Sequence, residues 1–101
     1  MSPLELADAT TRGVYEADPA AAARYFDPRL RSKVTPRSVA DVSRLMHRYG
    51  DYEGITQTAE VAKDVRYDFE AQFSHGSMLV QIRLDRGKQT IVAYRVVPNE
   101  R

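Results

Sequence analysis

The sequence predicts an α+β protein: three N-terminal helices packed on a curved four-stranded antiparallel sheet. Three observations carry this expectation. In the first half, a capping residue precedes proline at Ser2-Pro3, Asp18-Pro19 and Thr35-Pro36. Such a cap accepts a bond from a free backbone N–H, and proline at the first helical position gives up only a donor that would be unpaired. After Gly50 the apolar spacing changes from helical to alternating. Within that second half, Val65, Tyr67, Phe69, Ala71 and Phe73, then Met78, Val80, Ile82 and Leu84, alternate over two successive runs with residues that are polar except for Leu79. A sheet greasy on one face only must be covered there by the helices.

The first helix is predicted over residues 3–17. Ala7, Thr10, Val14 and Ala17 lie on its inner side, flanked by Leu4 and Leu6, and Glu5 reaches back to Ser2 in a capping box. The second spans 19–26 and is stopped at Asp27-Pro28, after which 29–34 read as a basic loop pinned by Leu30 and Val34. The third spans 36–49, burying Val39, Val42, Leu45, Met46 and Tyr49, with Gly50 as a left-handed cap. Strands follow at 53–61, on both sides of His75-Gly76, and at 89–97. Turns are expected at 62–64 and at 85–88 around Gly87, and Pro98 ends the last strand.

If His75-Gly76 is a two-residue turn, Phe73 faces Met78, Ala71 faces Val80, Phe69 faces Ile82 and Tyr67 faces Leu84. The same register sets Asp68 against Arg83 and Arg66 against Asp85, so charges complement on the outer face. The last strand is apolar on both sides, with Ile91, Ala93 and Val97 on one and Val92, Tyr94 and Val96 on the other. Two turn geometries around Gly87 put opposite faces inward. Either leaves a bulky apolar row outside near Leu79, the kind of row that a second copy covers, and a homodimer seam of Leu79, Val92, Tyr94 and Val96 is the expectation.

At 101 residues the chain is a single domain, 1–101, with ordinary hydrophobic (43%) and charged (29%) fractions that argue against disorder. No apolar run approaches the roughly 20 residues of a membrane span. No basic-then-apolar leader is visible, so a cytoplasmic location is expected, or a secreted one if a signal peptide has been removed. The absence of cysteine excludes disulfides and thiolate metal sites. A net charge of +1 is too small for generic polyanion binding, though the charge is uneven. Residues 24–48 carry seven basic and two acidic residues, and residues 51–64 one basic and four acidic.

The run Ala21-Ala22-Ala23-Arg24-Tyr25-Phe26-Asp27-Pro28 ends a short helix in an aromatic–acid break. Leu30, Val34, Thr35-Pro36, Val39, Val42, Leu45 and Gly50 follow it. With the four-stranded meander, this spacing resembles the nuclear-transport-factor-2-like branch of cystatin-like α+β folds, and within it a small bacterial domain of unknown function. The resemblance covers nearly the whole chain. It implies a sheet that wraps the first helix, leaves a cavity at one end and pairs with a second sheet. The architecture hosts enzymes and inert modules alike, so it does not supply a function.

The chemistry expected of an enzyme is sparse. His47 lies on the helix side away from the apolar stripe and His75 at a hairpin tip, neither placed to reach a substrate proton. No residues have metal spacing, and no cofactor is expected. Asp8, Glu16, Asp41, Asp68, Glu70 and Asp85 all fall on polar faces. The leading expectation is a non-enzymatic dimeric binding module. Its cavity is lined by Tyr67, Phe69, Phe73, Met78, Val80 and Ile82, with Tyr15 at the border, and admits a small apolar molecule. An anionic one is admitted if Arg95 faces inward at the cavity mouth. The alternative is an isomerase- or hydrolase-like enzyme using Tyr15, Tyr67 and Arg95. Nucleic-acid contact through the basic loop is the weakest reading, because Tyr25, Phe26 and Tyr49 sit at core positions and no known recognition motif is present.

Overall fold

The computed structural model describes residues 1–85 and 90–99, and the expected turn around Gly87 lies outside them. Four helices precede four strands: α1 (Pro3–Tyr15), α2 (Pro19–Ala22), α3 (Pro28–Arg31), α4 (Pro36–His47), β1 (Tyr52–Ala62), β2 (Arg66–Phe73), β3 (Gly76–Leu84) and β4 (Ile91–Pro98). The strands form one antiparallel sheet in the order β1-β2-β3-β4. The α+β class and the meander are as expected; the helix count is four rather than three.

The extra helix obeys the rule that marks the others. Asp27-Pro28, read as a stop, is the cap and first residue of α3, and Asp27 Oδ1 accepts from the Leu30 amide at 2.8 Å. The expected basic loop therefore contains a helical turn. Arg31 at its end donates to the carbonyls of Ala23, Arg24 and Phe26, so its charge is spent on closing the preceding turn.

Helix α1 ends two residues earlier than predicted. Ala17 adopts φ +55°, and the Ala17 and Asp18 amides bond to Val14 and Gly13 carbonyls, a Schellman termination that leaves Ala17 exposed. Its buried face is Leu6, Ala7, Thr10, Thr11, Gly13 and Val14. Helix α4 buries Val39, Ser43 and Met46, while Val42, Leu45 and Tyr49 are only half-buried. The inward serine has a use: Ser43 Oγ donates to the Tyr15 carbonyl at 2.8 Å, satisfying one of the last acceptors of α1.

The central hairpin is shifted by two residues from the predicted register. Phe73 faces Gly76, Ala71 faces Met78, Phe69 faces Val80 and Tyr67 faces Ile82. An even shift leaves every side chain on its expected face, so the inner row is as read. The turn is at Ser74-His75, whose amides bond to the Asp51 and Tyr49 carbonyls at 2.9 and 2.8 Å. Gly76 serves a different need. It lies in the strand at φ +155°, where a Cβ would meet the Tyr49 ring at 2.9 Å. The shift also removes both expected ion pairs: Arg66 lies opposite Arg83, and Asp68 opposite Gln81.

The last strand settles its two faces by a bulge. Leu84 pairs with Ile91 but Arg83 with Ala93, which leaves Val92 as the extra residue. Ile91 is fully buried, and Tyr94 and Val96, opposite Ile82 and Val80, pack against the core. Two of the four residues expected at a dimer seam, Tyr94 and Val96, therefore lie on the helical side. Leu79, directly opposite Val97, remains on the open face, and Val92 is half-buried at the bulge. The helical half also bonds into the sheet: Asp27 N donates to Ile91 O and Ile91 N to Tyr25 O, beside a parallel bridge between Phe26 and Ile91.

One core joins the layers. Phe69, Phe73, Met78, Val80 and Ile82 are at most 1% exposed and cluster with Leu6, Met46 and Ile91. Beyond Ile55 every residue of β1 is exposed, so this strand leaves the helical cover partway along.

Candidate functional site

Phe69, Met78, Val80 and Ile82, expected to line a cavity beneath the sheet, are at most 1% exposed and belong to the core cluster. The concave site lies to one side, between α4 and the edge strand β4, and holds about 330 Å³. Val39 and Val42 of α4 form one wall, Val14, Ala22 and Phe26 another, and Tyr94 and Val96 of β4 the floor. Val34, Ser38 and Arg95 stand at the rim. The volume is at the lower end of small-molecule sites. Helix α4 is bonded to α1 through Ser43 and the Tyr15 carbonyl, and it presents Val39 and Val42 to the groove. A larger depression of about 490 Å³ beside Pro19, Ala23, Arg24 and Arg31 is shallow, and its Arg31 is already committed to carbonyls.

The polar groups around the groove are mostly occupied. The Tyr94 hydroxyl is 2.9 Å from Thr11 Oγ1, and its ring tilts against Phe26 at 6.1 Å. Ser38 Oγ donates to the Thr35 carbonyl and accepts from its amide, completing the capping box of α4. Arg95 is exposed and its guanidinium has no hydrogen bond or ion pair among the described residues, which leaves one uncommitted cation at the rim beside Val34 and Ser38.

Of the residues expected to bind a ligand, Arg95 alone lines this groove. Its side chain belongs to the solvent-facing set of β4, the alternative in which Tyr94 turns inward. Tyr15 sits at the other end of the helical layer. It stacks on His47 with centroids 4.0 Å apart, and its hydroxyl donates to the Gly50 carbonyl at 3.4 Å. Tyr67 lies six residues along β2 from Phe73, a ring close to Tyr15, so the two tyrosines are separated by roughly 20 Å of extended chain. Burial, then a bond to Glu60, raises the Tyr67 phenol above its ordinary value. The structure thus does not bring Tyr15, Tyr67 and Arg95 to one place.

Near Tyr15, Ser43 and His47 have the look of a nucleophile and base, with Oγ and Nδ1 3.5 Å apart. Their bonds say otherwise. Ser43 gives its proton to the Tyr15 carbonyl, and His47 Nδ1 is 2.8 Å from the Ser43 carbonyl, to which it must donate. A nitrogen that donates there takes no proton from the serine. Among the described residues, no group of three or more His, Asp or Glu side chains is placed to hold a metal ion.

Two phenols beside these sites make stability pH-dependent. Tyr94 is held well above its ordinary value of 10.0 by burial, against the opposing bond from Thr11. Tyr52 is raised by burial first and then by donating to Asp8 Oδ1 at 2.7 Å, beside that carboxylate's charge. Unfolded tyrosines ionise near pH 10 while the native ones stay protonated. Above that pH the unfolded state therefore binds fewer protons, and stability falls as pH rises. The contribution is whole below about pH 10 and is lost from there toward the folded value. For Tyr94 the slope is about 1.4 kcal/mol per pH unit, and for the half-buried Tyr52 it is smaller. Urea unfolding of Tyr94→Phe above about pH 10 should show a shallower loss with pH than wild type; parallel curves would remove Tyr94 as the source.

The fold and the groove define a small α+β domain with an apolar side cleft and one free guanidinium at its rim. A solved structure with this fold is the solution structure of RPA3114, a SEC-C motif containing protein from Rhodopseudomonas palustris. It shares 21% sequence identity with this chain at a TM-score of 0.57, over 95% of this chain and 79% of that one. This likeness corrects the expected nuclear-transport-factor-2-like membership: the architecture found is that of a SEC-C motif containing protein, and at such low identity it speaks for the fold alone. Comparison with known families finds no match, and comparison with curated proteins finds none either. No helix among the described residues is long and apolar enough to cross a membrane.

Proposed function

We propose that the protein is a non-enzymatic binding module whose α4–β4 groove receives a small amphiphilic molecule, its apolar body between Val39, Val42 and Val96 and its anionic end at Arg95. The observation that supports this reading is the contrast between apolar walls and the single uncommitted cation at their rim. An arginine with no carboxylate partner is matched to an incoming carboxylate or similar anion. The groove walls carry no histidine or carboxylate, and the hydroxyls of Tyr94 and Ser38 are already hydrogen-bonded to Thr11 and Thr35.

Anilinonaphthalene sulfonate, an anionic fluorescent amphiphile, is a suitable probe, with laurate as competitor. Val42→Trp fills the groove from a half-buried position and should weaken binding of both by roughly tenfold or more, equivalent to about 1.4 kcal/mol, while thermal stability stays near wild type. Arg95→Gln should weaken laurate more than the uncharged alcohol of the same length. Undiminished probe binding by Val42→Trp would place the ligand elsewhere and end this reading.

Self-association through the open sheet face is a second reading, favoured by the Leu79–Val97 pair, which is half-buried yet outside the core cluster. Sedimentation velocity at micromolar concentration should show a dimer that Leu79→Glu converts to monomer. A wild-type monomer across that range discards it.

A further inference from the structure

The open face of the sheet carries a second polar feature that neither the groove nor the fold accounts for. Arg66 of β2 lies directly opposite Arg83 of β3. Arg83 faces Ala93 of β4, and Arg95 lies two residues beyond Ala93 on the same face. Cross-strand neighbours have Cβ atoms about 5 Å apart and diagonal ones about 7–8 Å, so three guanidinium groups reach one small area. They surround a shallow depression of about 220 Å³ floored by Gln81 and Ala93, where the short alanine leaves room between Arg83 and Arg95. None of the three arginines has a hydrogen bond or ion pair among the described residues.

Acids lie close by without pairing to them. Asp68 accepts from Gln81 Nε2 at 3.2 Å, and Asp85, exposed one alternation past Arg83, has no side-chain partner among the described residues. A hairpin shifted by two residues would set Asp68 against Arg83 and Arg66 against Asp85 and keep every apolar residue on its face. The register adopted instead places like charges opposite each other, which is unfavourable for the free protein. An arrangement that is unfavourable alone becomes favourable with an anion between the charges. Guanidinium forks match tetrahedral oxyanions, and a dianion suits several of them better than a single carboxylate does.

We propose that Arg66, Arg83 and Arg95 form a binding site for a phosphate group, free or as the monoester of a small molecule. The site is independent of the groove except that Arg95 stands at the border of both. The test follows thermal midpoint and backbone amide shifts at fixed ionic strength while sodium chloride is exchanged for inorganic phosphate, and in a parallel arm for a nucleoside monophosphate. Phosphate should raise the wild-type midpoint and shift amides of Arg66, Arg83 and Arg95. Arg83→Gln should abolish at least four-fifths, roughly, of that rise, yet match or exceed the wild-type midpoint without phosphate, because a like-charge contact is relieved. Arg37→Gln, on the exposed face of α4, and the groove variant Val42→Trp should both keep the full response. A larger effect of the monoester than of phosphate identifies an ester as the ligand, and equal effects identify the free ion; either supports the site. The proposal is overturned by no rise with phosphate, by an unaltered response of Arg83→Gln, or by a short oligonucleotide far outcompeting the nucleoside monophosphate, which would make the face a nucleic-acid surface.

Discussion

Gly13→Ala should lower the unfolding midpoint substantially, against the direction usual for glycine within a helix. Elsewhere in a helix the change gains about 1 kcal/mol, because alanine loses less conformational freedom on folding. Here α1 and α2 meet at backbone distance. A Cβ on Gly13 would lie 2.5 Å from Ala22 N, 2.7 Å from Ala21 C and 2.8 Å from Ala22 Cα. Backbone atoms cannot swing aside as a side chain does, so the two helices must separate. Overpacking of this kind costs about 1–3 kcal/mol net, which in a domain of this size lowers the thermal midpoint by roughly 4–8 °C for each kcal/mol. Because α1 and α2 together carry Val14 and Ala22 into the groove wall, the same variant should also weaken amphiphile binding. A midpoint at or above wild type would show that the helices do not approach this closely.

Phe73→Ala should destabilise the fold strongly. The ring is 1% exposed and is the shared neighbour of three tyrosines from different elements, with centroids 6.2 Å from Tyr15, 6.3 Å from Tyr49 and 5.6 Å from Tyr52. It joins the end of α1, the exit from α4 and the start of β1. Removing a buried phenylalanine costs about 3–5 kcal/mol in transfer and cavity terms, a large part of the stability of a domain this size. Urea unfolding should show this loss together with a collapse of the near-ultraviolet tyrosine signal. Val61→Ala, at a side chain 50% exposed on the free end of β1, should stay within about 0.5 kcal/mol of wild type.

How far the sequence could be read follows from what each signal constrains. Alternation in β2 and β3 fixed which side chains face the helices, because a strand has only two faces. It did not fix the register, since a two-residue shift satisfies the same alternation. The deciding contacts were distant ones, from Tyr49 and Asp51 to the Ser74-His75 turn. Asp27-Pro28 carried the same cap-and-proline signature as the three other helix starts. A proline after a short helix signals a break as readily as a start, so the local signal for α3 is present in the sequence but ambiguous. Ser43 went unread for another reason. A polar residue breaks an apolar stripe in sequence, and only the unpaired Tyr15 carbonyl in space explains why it is buried.

The candidate site was less legible than the fold. Tyr94 and Val96 belong to a strand apolar on both sides, and a bulge at Val92, which no periodicity reveals, decided their direction. Once they turn inward, residues assigned to a subunit seam become the floor of a groove. The alternation of β4 leaves both directions open for Arg95, and its place at the groove rim is visible only once α4 is set beside the strand. The arginine pair across β2 and β3 was hidden by the register assumed for the hairpin, which balanced its charges on paper.

The backbone clasp between residues 25–27 and Ile91 has a bearing on how the chain assembles. In the segment linking α2 to α3, the Asp27 amide and the Tyr25 carbonyl must wait for Ile91 of the final strand to find their partners, so closing that clasp encircles nearly all of the polypeptide between them. Late, far-separated closures of this kind slow folding relative to a hairpin-only meander. They also tether the edge strand, so that loosening the helical layer and freeing the sheet's margin become a single event rather than two.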